Sequence, residues 1–445
     1  MHILFISEYY PPQIMGGGEI NLSTLVNALA AQNQNNPTTN QEPITISILT
    51  SSSPNLPKIE IHPNLTIYRR LTTGSTPSSL LGNLSRFLFL KHSILKQTKK
   101  ITQQQNHPID IIHFIGGAII AAKKIKQHIK KNKNTTNCPL PLFATIESYP
   151  TLCPKGDRWY KQQKPCAIKC TLPKFLSCQS SCTEIGKMKN HWYLKYNPLF
   201  LLLTYYYYHQ RNQALKCCHL IAISKYVQQL LKQQNHESII IPNILDTKPF
   251  ETEKKKHINT IKPDTQPLNF LYLGSLIESK GPQIILQSLK DINNTSYHLD
   301  IYGNGIIKTQ LQQYITKHNL NATIHPHVTY EQIPSIYQNG DIILFPSIWP
   351  EPFGRIPIEA HASGKIVIAS NIGAIPETVT KNDILIAPNN PEALKNAIIE
   401  LLNNKSFKQT SKKNKESKET KYLPETIITK MQQTYNTPSI NKKDQ

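Results

Sequence analysis

IILFPSIWPEPFGRIPIEAHASG, residues 342–364, is the stretch whose reading decides the fold. Ile342–Phe345 is a short continuous apolar run, the pattern of a strand buried on both faces. The proline-rich segment Pro346–Pro352 is its carboxyl-end loop, and a helix is expected over roughly 355–363. Gly354 lets the backbone come close to a ligand at the loop–helix junction. The free N–H groups and positive dipole end of that helix make an anion site suited to a diphosphate. Glu351 lies in the loop and Glu359 about a turn into the helix, in a chain with only 28 acids against 50 Lys and Arg. Acids are favoured near any helix start. At this spacing they also fit opposite ends of one elongated ligand, where carboxylates hold the vicinal hydroxyls of a ribose or hexose.

The strand–loop–helix unit recurs outward from this point. Ile3–Ser7, Ile44–Leu49, Ile109–Phe114, Leu142–Ile146, Leu220–Ile223 and Ile239–Ile241 read as strands in the first half. Phe270–Leu273, Tyr297–Tyr302, Ile342–Phe345 and Lys365–Ala369 do so in the second. Glycines follow several of them, at Gly16-Gly17-Gly18, Gly116-Gly117, Gly274 and Gly303-Asn304-Gly305. Strands separated by helices predict parallel β-α-β units. The length of 445 residues fits about two or three domains. Residues 251–267 have the polar, proline-containing composition of a linker. The expected organisation is a first doubly wound α/β domain over 1–250, with a cysteine-rich insert at about 151–190, and a second over 251–403. A basic polar tail, 404–445, ends in a helix.

Five ordered segments then carry a resemblance. EPFGRIPIEA (351–360) resembles the E-x7-E motif of the family 4 retaining glycosyltransferases, also called glycosyl transferases group 1. EYYPPQIMGGGE (8–19) resembles that family's glycine-rich acceptor-side loop. LIAISKYV (220–227) with IIIPNILDTKPF (239–250) resembles the end of its first domain. LYLGSLIESKG (271–281) resembles its "G-R-x-x-x-x-K-G" segment, and SNIGAIPETV (370–379) its "G-G-x-P-E" segment. The resemblance implies a GT-B fold, two Rossmann-like domains facing a central cleft. It implies a retaining transfer from a nucleotide sugar, UDP- or GDP-linked, to a glycan or lipid-linked acceptor. No metal or other cofactor is implied for catalysis.

By that resemblance Glu359 binds the ribose hydroxyls and Glu351 the transferred sugar, with the Phe353 and Gly354 backbone nearby. Lys280 neutralises the diphosphate as charge builds on it. Gly16 and Gly17 approach the diphosphate, and Gly303 and Gly305 lie near the base. The chain departs from the family twice. Ser275 stands where the family carries an arginine, leaving Arg355 or Lys225 to compensate on the donor side. Glu147 stands where the family tends to carry a histidine, and an ionised glutamate accepts hydrogen bonds without donating them. Both departures keep open a second reading, a non-catalytic sugar- or nucleic-acid-binding protein on a GT-B scaffold.

The formal charge of +22 calls for an anionic counterpart. Part of it sits in the solvated run 405–421. Cys166, Cys170, Cys178 and Cys182 form two C-x3-C pairs that suit a structural zinc ion, with Cys153 in reserve; disulfides and free thiols are the other readings. The same insert is basic and carries Trp159 and Tyr160, which suits anionic lipid as well as nucleic acid. In a glycosyltransferase the lipid or acceptor reading is preferred. No window reaches the ~18 apolar residues of a membrane span, and Pro198–Tyr208 reads as a core helix or an interfacial one. The start lacks the basic, then apolar, pattern of a signal peptide. The expected location is therefore the cytoplasm, peripheral at the inner face of a membrane.

Overall fold

The computed structural model describes the chain except residues 15, 36–43, 54, 73–79, 105–107, 132–139, 161–163, 167–168, 181–196, 257–266, 327, 404–419 and 438–445. It divides into two compact units, Met1–Ile244 with Pro424–Gln445, and Leu245–Leu423.

The strands of the first unit are β1 (His2–Ile6), β2 (Thr45–Ser51), β3 (Ile59–His62), β4 (Leu65–Leu71), β5 (Ile111–Ile115), β6 (Leu142–Ile146), β7 (Trp159–Tyr160), β8 (Lys164–Pro165), β9 (His219–Ala222) and β10 (Ser238–Ile240). Its helices are α1 (Gly17–Asn35), α2 (Leu80–Gln104), α3 (Ala122–Lys131), α4 (Leu172–Ser180), α5 (Pro198–Leu215) and α6 (Lys225–Lys232). The main sheet runs β10-β9-β6-β5-β1-β2-β4-β3, parallel except for the edge pair β3–β4. β1 is flanked by β2 on one side and β5 on the other, so the strand order reverses beside it. In an open parallel sheet that reversal opens a crevice beyond the carboxyl ends of the strands. The central strands β1, β5 and β6 are buried along their whole length, as continuous apolar runs dictate.

In the second unit the elements are α7 (Lys248–Lys256), β11 (Leu268–Leu273), α8 (Pro282–Leu289), β12 (Tyr297–Tyr302), α9 (Lys308–His318), β13 (Ala322–His325), α10 (Ile333–Asn339), β14 (Ile342–Phe345), α11 (Arg355–Ala362), β15 (Ile366–Ser370), β16 (Ile384–Ile386) and α12 (Pro391–Asn403). The sheet order is β13-β12-β11-β14-β15-β16, all parallel, with the reversal between β11 and β14. Both units are thus doubly wound, as expected.

Three features differ from the sequence reading. The boundary falls after Ile244, and the first part of the expected linker is helix α7, which buries Phe250 in the second unit. Strand β4 and the short strands β3, β13 and β16 widen the sheets; their mixed burial hides them from a search for continuous apolar runs. The expected C-terminal helix, α13 (Pro424–Asn436), belongs to the first unit. It buries Ile427, Ile428, Met431 and Tyr435 in that core. Tyr435 Oη meets His113 Nδ1 at 2.6 Å, and His113 Nε2 meets Thr145 Oγ1 at 2.8 Å. Burial drives the His113 pKa down to about 3, so the ring stays neutral, one nitrogen donating and the other accepting.

Candidate active site

In the second unit the functional side chains gather at the strand-order reversal. Lys280 follows β11 and Glu351 follows β14, the two strands that flank it. Lys280 Nζ donates to Glu351 Oε1 at 2.6 Å, and Ser347 Oγ donates to the same oxygen at 3.0 Å. The ammonium also lies 4.9 Å from the Trp349 ring centroid, a cation–π contact. Ile348 and Trp349 both donate backbone N–H bonds to the Ser279 carbonyl, at 2.9 and 3.0 Å, so the two loops are docked on each other. Gly281 makes that docking possible. It sits at φ +76°, and a Cβ there would fall 2.0 Å from the Pro346 carbonyl oxygen. Glu351 itself is 7% exposed.

Glu359 lies on the first turns of α11 and is 4% exposed. Its Oε1 accepts from Arg355 Nε at 3.2 Å and from Tyr330 Oη at 3.3 Å, and its Oε2 accepts from Tyr337 Oη at 3.1 Å. Arg355 Nη2 in turn donates to Tyr330 Oη at 2.7 Å. Burial opposes the Arg355 charge, but Glu359 and then Tyr330 outweigh it and hold the guanidinium pKa up. Burial followed by the Glu359 charge pushes both phenols well above their ordinary value, so they remain donors. Two glutamates that look alike in sequence therefore sit in different surroundings, one against a partly exposed ammonium and the other in a buried guanidinium–phenol clamp.

The remaining donor-side expectations are placed as follows. Arg355 gives its Nε to Glu359 and its Nη2 to Tyr330, while its buried Nη1 has no hydrogen-bond partner among the described residues. Gly303 and Gly305 close the β12 loop, where a Cβ would strike the Gly274 and Leu276 carbonyl oxygens at 1.9 and 2.2 Å; backbone packing alone requires them. Ser275 offers its carbonyl to Tyr272 Oη at 2.9 Å. The Phe353 ring is turned inward, edge-on to Tyr422 with centroids 5.6 Å apart. Gly354, at φ +141°, precedes α11 and brings its Cα side against Thr378.

In the first unit Glu147 follows β6 and lies against the start of α1, where a Cβ on Gly18 would meet its Oε2 at 2.6 Å. Asn21 Nδ2 donates to Glu147 Oε1 at 2.9 Å, while Asn21 Oδ1 accepts the Ile244 N–H at 2.8 Å. The helix N-terminus favours the negative charge there. Gly16 and Gly17 are exposed at the same helix start, with the Gly16 N–H donating to Glu19 Oε2 at 2.9 Å. Beside the β1–β5 reversal Glu8 is 5% exposed and paired with Arg86, whose Nη2 donates to Oε2 at 2.7 Å. Burial opposes the Arg86 charge and Glu8 overrides it, so its pKa is raised. Sequence reasoning missed Glu8, Asn21, Arg86, Tyr330, Tyr337 and Trp349. The lone local signal was the position of Trp349, two residues before Glu351.

The cysteine-rich insert follows β6. Cys153, Cys166, Cys170 and Cys178 line one small cavity, and none is in a disulfide. Burial, then the neighbouring Cys153, Cys166 and Cys178, push the Cys170 thiol up to about 12. Cys182, expected as a fourth metal ligand, lies outside the described residues. Among the described residues no three His, Cys, Asp or Glu side chains stand ready to hold a metal ion.

Residues 253–419 match the family described as Glycosyl transferases group 1, so most of the second unit carries a domain of that family. An uncharacterized glycosyltransferase of Methanocaldococcus jannaschii is 26% identical over 195 residues, 43% of this chain and 51% of that protein. The chain spans about half or less of the length of such curated relatives. Among solved structures, sucrose-phosphate synthase from Thermosynechococcus elongatus aligns at a TM-score of 0.70 and 20% identity, covering 98% of each chain. Anabaena HepE, solved in complex with UDP-glucose, aligns at a TM-score of 0.59 and 16% identity, covering 98% of this chain and 99% of that one. At these identities the likeness speaks for the fold, which is GT-B: two parallel-sheet Rossmann-like domains.

Proposed function

We propose that this protein is a nucleotide-sugar-dependent glycosyltransferase that acts with retention at the anomeric carbon. The observation that carries the reading is the Lys280–Glu351 pair, 2.6 Å apart at the strand-order reversal of a unit that matches Glycosyl transferases group 1. In this reading the diphosphate of the donor draws the ammonium of Lys280, and Glu351 turns its freed oxygen to a hydroxyl of the sugar. The bond between the anomeric carbon and the diphosphate oxygen breaks, and an acceptor hydroxyl oxygen bonds to the same face of that carbon. The leaving phosphate takes the hydroxyl proton, and Lys280 stabilises the charge left on the diphosphate. Glu359, preset by Arg355, Tyr330 and Tyr337, holds the ribose. A carboxylate has about four acceptor sites, so three donors leave room for a ribose hydroxyl. A relative in fold has been solved with UDP-glucose, which favours a uridine donor.

Calorimetric titration with UDP-, GDP-, ADP- and dTDP-sugars tests this directly. One sugar nucleotide is expected to bind, with slow hydrolysis when acceptor is absent. Binding without any turnover would favour the non-catalytic reading, and no binding to any donor would remove the proposal.

The acceptor is read as a lipid-linked glycan at an anionic membrane surface. Leu88 and Phe89 on α2 and Leu199, Leu202 and Tyr206 on α5 are exposed in the first unit, and the basic α3 ends in Lys130 and Lys131. Among the described residues no helix is long and apolar enough to cross a membrane. Binding to vesicles rich in an anionic phospholipid is expected, and it should weaken as salt rises. Binding that ignores both lipid charge and salt would refute the surface reading.

A further inference from the structure

The crevice at the β1–β5 reversal of the first unit holds charges that the donor chemistry does not use. Glu8 follows β1, and Arg86 on α2 pairs with it through both Nε and Nη2, so the two are neutral together. Arg211 on α5 is placed differently. Its Nη1 donates to the Pro150 carbonyl at 3.5 Å, the long limit for such a bond. Its guanidinium lies over the Tyr207 ring, 4.2 Å from the centroid, and that stacking fixes its plane. Its Nε is shut off from water and has no hydrogen-bond partner among the described residues. Nor does Nη2 enter a hydrogen bond there. A buried donor left unpaired is costly, most of all on a charged group. Nε and Nη2 share one edge of the guanidinium, the edge that grips an oxyanion with two parallel bonds.

Gly117, just after β5, shows where that edge lies. A Cβ built there would stand 3.7 Å from Arg211 Nη2 and 3.5 Å from Glu8 Oε2. Those are ordinary contacts, and the φ of Gly117 lies outside the left-handed region. Neither backbone nor close packing therefore demands a glycine. Its missing side chain leaves space between a guanidinium donor and a carboxylate acceptor, space that a larger side chain would fill. The surroundings are positive. Lys91, also on α2, donates to Oε1 of Gln210, the residue before Arg211, at 2.9 Å. Burial, then Lys124 and Lys123 on α3, push its ammonium below the ordinary value. An added dianion relieves such crowding more than a monoanion, which favours a phosphate over a carboxylate.

We propose that Arg211, Gly117 and Glu8 form a subsite for a phosphorylated sugar. The phosphate takes the Nε–Nη2 edge of Arg211, and a hydroxyl of the same sugar donates to Glu8, which Arg86 keeps ionised and in place. A sugar phosphate offers both groups, whereas a simple anion would meet the Glu8 carboxylate with nothing to donate. The role of the ligand, as acceptor, rests on the glycosyltransferase reading; its binding does not. The phosphate belongs either to a soluble sugar phosphate or to a lipid-linked sugar.

The test is calorimetric titration of the full chain with inorganic phosphate, in a Lys280→Met background that weakens the diphosphate site of the second unit. Phosphate should bind, and Arg211→Gln should weaken it at least tenfold. Arg211→Lys keeps the charge without the fork and should weaken it too. If Arg211→Gln fails to fold by thermal unfolding, Arg211→Lys and Gly117→Val decide: weakened binding in both supports the site, and unchanged binding in either overturns it. No phosphate binding, binding indifferent to Arg211→Gln, or displacement of phosphate by acetate at equal concentration would also overturn it. Glucose 1-phosphate and a short-chain prenyl diphosphate sugar are then compared as competitors, and whichever displaces phosphate at lower concentration identifies the source. No nucleotide sugar is needed for these titrations. A chain that binds phosphate at Arg211 but no donor therefore keeps this site and loses the glycosyltransferase reading, and the opposite result does the reverse.

Discussion

Lys280→Met is expected to lower kcat for sugar transfer by roughly 10²–10³-fold, with a smaller rise in KM. The charge on the leaving diphosphate is larger in the transition state than in the bound donor, so a cation aimed at it acts mainly on kcat. Lys280 has the placement for this. It stands beyond the carboxyl end of β11, is partly exposed, and is held by partners that let it go: one carboxylate and the face of Trp349. Glu351→Gln should be similarly slow but for another reason. The amide can still accept from Lys280 and Ser347, so the loop stays in place, while the charged contact to the sugar is lost. Steady-state kinetics with the donor found by titration checks both. Transfer by Lys280→Met within fivefold of wild type would show that Lys280 serves only to position Glu351.

The second large effect concerns stability. Arg355→Leu should destabilise the second unit by about 3–5 kcal/mol, because Glu359 would be left as a buried charge held by two phenols alone. For a unit of this size that corresponds to a fall in Tm on the order of 10 °C. Glu359→Ala should cost a similar amount from the other side, stranding the Arg355 guanidinium and the Tyr337 hydroxyl. Lost donor binding in Glu359→Ala therefore has to be separated from lost folding. Glu359→Gln makes the separation, since it keeps an acceptor for Arg355 and most of the volume. The double variant Arg355→Leu, Glu359→Leu should recover part of the loss, as replacing a buried pair by apolar groups often does. Thermal unfolding of Arg355→Leu, Glu359→Leu and the double variant measures this. Additive single-variant losses in the double variant would show that the pair is not coupled.

The positions of Glu351 and Glu359 were legible before any coordinates, because a strand, a proline-rich loop and a helix start are local events written in consecutive residues. Their surroundings were not. Lys280 is 71 positions from Glu351, and Tyr330 and Tyr337 are 29 and 22 from Glu359. Nothing in a tyrosine's neighbours announces that its hydroxyl will meet a carboxylate on another helix. The same limit explains Arg355. As a residue type it suits a diphosphate; only packing shows that its guanidinium is turned to Glu359 and Tyr330. In the insert, spacing drew attention to the C-x3-C pairs. The turn after Cys153 and the burial of Arg158 go with positive φ at Gly156 and Arg158, which spacing does not encode.

By itself the sequence determined the class of the fold, two doubly wound α/β units, because burial of a parallel strand on both faces forces an uninterrupted apolar run that few other structures produce. It also determined where ligands are expected, at glycine- and proline-rich loops beyond those runs. Tertiary structure alone decided that the chain returns at Pro424 to complete the first core, with Tyr435 meeting His113 across 322 positions. It alone decided which cation faces which glutamate and which four cysteines share a cavity. Backbone conformation is set largely by neighbours in sequence, whereas charge pairing and ligand sets are set by neighbours in space, and only the folded chain defines those.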